Sequence, residues 1–100
     1  MIQISKPKFP LGRVVATPAA LEALRESNQS PFEFISRHSK GDWGDTCPDD
    51  AAANEQSLID GSRLLSVYHT ANRTKFWVIT EACDDRGIRS ATTILLPADY

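Results

Sequence analysis

The sequence predicts an α+β domain: three helices in the N-terminal half, packed on an antiparallel sheet of three to four strands. Two observations predict it. Three stretches before Gly61 each open on a capping residue followed by proline, and each carries apolar residues at helical spacing. From Arg63 onward the apolar period becomes two and the runs fill with β-branched and aromatic residues. At 41% hydrophobic and 24% charged, the composition is that of an ordinary globular chain. A chain of 100 residues buries roughly 60–70% of its unfolded surface, enough for one core.

Residues 1–11 are broken by Pro7 and Pro10 and show no period. They are expected to form a loosely held arm preceding one domain over 12–100, the alternative being that Ile2, Ile4 and Phe9 pack on a neighbour. "GRVVAT" reads as a short strand, the fourth of the sheet. Thr17 before Pro18 is an N-cap with proline at the first helical position; Ala20, Leu21 and Leu24 form the apolar stripe, and Asn28 closes this helix. Ser30 and Glu33 have capping-box spacing around Pro31, and Phe34, Ile35 and His38 follow on one face. Arg37, His38 and Lys40 place cations at the C-terminal end of the dipole, and Gly41 stops the helix. Thr46 and Asp49 repeat the capping-box spacing around Pro48. A third helix toward Gly61 then has only Ala51, Ala52, Leu58 and Ile59 as a thin apolar side, the pattern of a helix lying on a surface. "RLLSVYHT", "KFWVITEA" and "SATTILLP" form an antiparallel meander ended by Pro97. In the middle run Phe76, Val78 and Thr80 alternate with Trp77, Ile79 and Glu81; both sets are largely apolar, so this strand is expected to be central, with helices on one face and partial cover on the other.

The net charge of −2, from 11 basic and 13 acidic residues spread along the chain, argues against a phosphate-backbone footprint and against the dense acidic face of a DNA mimic. No apolar run has the length of a membrane span or the layout of a signal peptide, so a cytoplasmic protein is expected, with Cys47 and Cys83 as free thiols.

"RHSKGDWGDTCPDD" concentrates the side chains capable of chemistry. A metal centre there would draw on His38, Asp42, Asp45 and Asp49, but neither the calcium-loop spacing nor paired cysteine or histidine ligands are present. Two glycines flanked by aspartates would repel phosphate. Cys47, just ahead of a helix, is the better placed thiol, with His38 or His69 as a base. His69, at a strand end, reads as an exposed or half-buried imidazole. Glu81 is expected to close its hairpin by an ion pair with Arg86 or Arg89, with a general base as the other reading. Trp43 is either a plug inserted into the core, an anchor for a partner, or a stacking platform for a small ligand.

"GRVVATPAALEAL", "ISRHSKGDWGD", "GSRLLSVYHT" and "FWVITEA…RSATTILLPADY" resemble a family of small uncharacterised proteins of plasmids, phages and other mobile genetic elements, some labelled plasmid-related protein. The resemblance runs from Gly12 to Tyr100 and departs where "CDDRGI" lengthens the loop before "RSATT". It implies an accessory protein of a mobile element and carries over no catalytic residues.

Together these readings predict a non-enzymatic protein acting through an unidentified protein partner, without cofactor or metal. Asp42, Trp43, Asp45, Glu81 and Arg89 are its candidate binding residues. The alternative is a small metal-dependent hydrolase or nuclease built on the Asp/His loop at 38–50. An exposed edge of the meander would favour a homodimer by strand pairing.

Overall fold

The computed structural model describes residues 7–100. In chain order these form β1 (Arg13–Ala16), α1 (Pro18–Glu26), α2 (Pro31–Ser39), α3 (Pro48–Asp60), β2 (Leu64–His69), β3 (Lys75–Thr80) and β4 (Ala91–Leu95), followed by a 3₁₀ turn over Pro97–Asp99. The sheet order is β1-β4-β3-β2. The meander β2-β3-β4 is antiparallel as predicted, but β1 pairs with β4 in parallel, so the sheet is mixed. The helices also lie between β1 and the meander and do not all precede the sheet. Periodicity fixes which residues share a face and is blind to strand direction. A hairpin forces antiparallel neighbours, whereas β1 reaches β4 only after the whole helical layer, and that connection permits a parallel pair.

The helix termini follow the local chemistry closely. Thr17 Oγ1 accepts the Ala20 N–H at 3.2 Å, and Ser30 Oγ accepts that of Phe32. α1 and α2 both end in the six-residue C-terminal motif, Gln29 N–H bonding Leu24 O and Asp42 N–H bonding Arg37 O. Two predicted capping boxes do not form: the Glu33 carboxylate accepts from Gln29 Nε2, and the N-cap of α3 is Cys47, which makes no side-chain bond. Leu21 and Ile59, assigned to apolar stripes, are exposed.

Registered rows across the strands define the two faces. Ser66–Val78–Ile94–Ala16 and Leu64–Thr80–Thr92–Val14 face the helices; Leu65–Ile79–Thr93–Val15 and Val67–Trp77–Leu95 face away. Ala20 and Leu24 from α1 and Phe34 and Ile35 from α2 pack with Tyr68, Phe76, Val78 and Ile94 into one core cluster. A second joins Phe9, Trp43 and Leu64, with Leu11, Ala51 and Leu58 against it. Phe9 thus belongs to the core, and Lys8 N–H bonds Ser39 O at 2.7 Å, while Pro7, Lys8 and Pro10 are exposed. Ile2 and Ile4 lie outside the described residues. Among the described residues, no helix is long and apolar enough to cross a membrane.

Candidate functional site

The residues singled out in the sequence fall into three groups with separate surroundings. The first is the turn Gly41–Asp45. Gly41 takes φ +84° and closes α2. The Asp42 carboxylate pairs with Arg37 at 2.7 Å and accepts the Gly44 N–H at 3.1 Å; these contacts hold it below the usual carboxylate range, Arg37 first. Trp43 points inward, is 6% exposed, stands edge-on to His38 and donates its indole N–H to Glu55 at 2.8 Å. Of the readings left open for Trp43, the structure supports the plug. Gly44 lies against β2 so tightly that a Cβ there would sit 2.0 Å from Val67 O. Val67 N–H bonds Trp43 O and Asp45 N–H bonds Val67 O, so the turn runs as a one-residue parallel strand along the outer edge of β2. The Asp45 carboxylate meets His69 Nδ1 at 2.8 Å on the surface. Further along the same edge, the Asn54 amide on α3 bonds Leu65 N–H through Oδ1 (3.0 Å) and Leu65 O through Nδ2 (2.6 Å), as a neighbouring strand would.

The second group is a buried polar chain that the sequence did not reveal as a unit. His38 is 0% exposed, with Ser66 Oγ at 2.6 Å from Nδ1 and Thr80 Oγ1 at 2.8 Å from Nε2. Thr80 Oγ1 is 2.7 Å from Thr92 Oγ1, and Thr92 donates to Leu11 O at 2.7 Å. A carbonyl only accepts, which fixes every proton in the chain. Thr92 gives its hydrogen to Leu11, Thr80 gives its own to Thr92, and Thr80 therefore accepts from His38 Nε2–H. Nδ1 is left bare to accept from Ser66. Burial first, and the Arg89 charge second, push the imidazole down to about 3, so it is neutral at physiological pH. The expectation of a cationic His38 complementing the dipole of α2 is therefore overturned. A serine 2.6 Å from an imidazole is also the geometry of an activated nucleophile, but here both side chains are fully buried and the second imidazole nitrogen faces a hydroxyl in place of a carboxylate.

The third group is Arg89 with Glu81. Arg89 is 4% exposed and donates to three main-chain carbonyls, Ser57 O (3.1 Å), Ser62 O (2.8 Å) and Glu81 O (2.9 Å). The guanidinium thereby ties the C-terminal end of α3 to the end of β3, a favourable place for a cation. The expected ion pair with the Glu81 side chain does not form, and Arg86 pairs with Asp84. Glu81 is exposed.

The set drawn on for a metal centre does not converge: His38 points into the core, Asp42 to Arg37 and Asp45 to His69. Among the described residues, no three His, Cys, Asp or Glu side chains are arranged to hold a metal ion. Cys47 is an exposed thiol and Cys83 a half-buried one.

The side of the sheet facing away from the helices is the feature that sequence reasoning under-used. Trp77 lies there, half-buried, with Tyr100 edge-on to it at 5.7 Å; Arg63 donates to the Tyr100 hydroxyl at 2.8 Å. The alternation around Trp77 marked this face in the sequence, but the return of Tyr100 onto it had no local signature. Comparison with known proteins finds no matching family model, no matching curated protein and no matching solved structure.

Proposed function

We propose that this is a non-enzymatic accessory protein of a mobile genetic element that acts by binding another protein. The observation that carries the reading is the division of labour between the two faces of the sheet. Side chains able to do chemistry, His38, Ser66, Thr80 and Arg89, are engaged inside the helix-covered half. On the other face Val67, Ile79 and Leu95 are buried and Leu65, Trp77 and Thr93 half-buried, so what reaches the surface there is the exposed Tyr100 with the half-buried Trp77 beside it, and Val15 at the far edge. Tryptophan, tyrosine and arginine are the types that dominate binding energy at interfaces, and here they touch one another. Arg63 and Lys75 border this face and the exposed Glu81 stands at its other end, so the surface fits a protein partner with an apolar centre and charges of both signs at its rim.

Asp42 and Asp45 stay exposed and can border such a contact, whereas Trp43 and Arg89 act on it only by holding the fold. The test is affinity capture of the tagged protein from its native host cells, comparing the parent with Trp77→Ser, Tyr100→Ala and Arg63→Glu after each variant is shown to fold. The reading expects one stoichiometric, salt-sensitive partner that all three variants weaken. A partner retained by all three, or no stoichiometric partner, refutes it.

A further inference from the structure

The two edges of the sheet are treated in opposite ways. On the β2 edge, Leu65 and Val67 are bonded by Asn54, Trp43 and Asp45. On the β1 edge, among the described residues, nothing equivalent is found. Arg13 N–H bonds Ser90 O and Thr17 N–H bonds Ile94 O, so Arg13, Val15 and Thr17 direct their main-chain groups at β4. Val14 and Ala16 therefore direct theirs outward, and among the described residues no group bonds them. Val14 and Val15 are 43% and 37% exposed.

We propose that β1 pairs antiparallel with β1 of a second copy of this chain, joining two four-stranded sheets into one of eight strands across a twofold axis at Val15. The register follows from which groups are free. Val14 of each copy exchanges both main-chain bonds with Ala16 of the other, making four hydrogen bonds, and Val15 faces Val15 in a non-hydrogen-bonded pair. The same register sets Arg13 opposite Thr17 of the second copy. Thr17 Oγ1 donates to Asp99 Oδ2 at 2.7 Å, so a carboxylate stands beside the position that Arg13 faces, twice by symmetry. This charge complementarity selects a second copy over an arbitrary extended peptide. An open edge of β-branched residues without such a partner would be an aggregation hazard. The inference stands on the edge alone and does not depend on the protein-binding face proposed above.

The experiment combines sedimentation equilibrium with disulfide trapping in a Cys47→Ser, Cys83→Ala background. Opposed residues in a non-hydrogen-bonded pair have Cα atoms about 4.5 Å apart, within disulfide range. Val15→Cys is therefore expected to cross-link its own copies on mild oxidation, and Arg13→Cys is not. Val14→Pro removes an N–H that makes no internal bond and is expected to weaken the dimer about tenfold or more. Arg13→Glu should weaken it as well, and serves if the proline variant does not fold. A chain that sediments as a monomer at every concentration from micromolar to millimolar overturns the proposal. So does a dimer indifferent to both substitutions, or one that cross-links through Arg13→Cys as readily as through Val15→Cys.

Discussion

His38 shows how one residue couples the helical layer to the sheet. Its neutral ring joins α2 to β2, β3, β4 and the Leu11 carbonyl through one directional chain of protons. In the unfolded chain an imidazole takes its second proton near pH 6.5; in the folded protein it does so only near 3. Between those values the unfolded state holds one proton more, so the contribution of this group to stability is lost progressively as pH drops from about 6.5 to about 3. Urea denaturation at successive pH values should show a steeper fall in the parent than in His38→Asn, which keeps a donor and an acceptor but does not titrate, the carboxylates such as Asp42 contributing equally to both. Equal slopes in the two proteins would sink the assignment of a buried neutral imidazole. Trp43 is the other residue with a large individual effect. Trp43→Ala should cost about 3–5 kcal/mol, a large part of what a domain of this size has, and thermal denaturation will measure it.

At the scale of elements, the GDWGD turn and α3 act together as a seal on the β2 edge. Asn54 is buried because its amide substitutes for a strand. Asn54→Asp keeps the shape and places an oxygen opposite Leu65 O. It should destabilise by about 1–3 kcal/mol and promote aggregation, measurable by denaturation and light scattering. Gly44→Ala should be worse, since the new methyl meets main chain that cannot move aside. Helix starts and stops were legible because each is written in a few adjacent residues: Thr17 and Pro18, Ser30 and Pro31, Gly41, Gly61. The seal was not, because it joins Asn54 to Leu65 and Trp43 to Val67 across the fold. The third start was misread at Thr46 by one residue: the box spacing was present, but Cys47 took the cap position. Glu81 and Arg89 illustrate the limit for pairs: opposite charges close in sequence suggest an ion pair, and the buried guanidinium instead satisfies three carbonyls that only the tertiary fold brings together.

For the whole molecule, the consequence is an asymmetric domain. One sheet face carries three helices and a self-satisfied polar core; the other keeps Val67, Ile79 and Leu95 buried and bears the half-buried Trp77 with the exposed Tyr100 against it. One edge is closed, while the other offers Val14 and Ala16. The motif that looks most like an active site bonds β2 and fills the core with Trp43, and functional attention turns to the Trp77–Tyr100 surface and to the β1 edge. Amide hydrogen exchange of the protein in dilute solution tests this account most directly. The Leu65 and Val67 amides are expected to exchange only with global unfolding, as core strand amides do, while those of Val14 and Ala16 exchange freely. Rapid exchange at Leu65 and Val67 would mean that the GDWGD turn and Asn54 do not seal the edge, and would return the motif to the list of candidate binding loops.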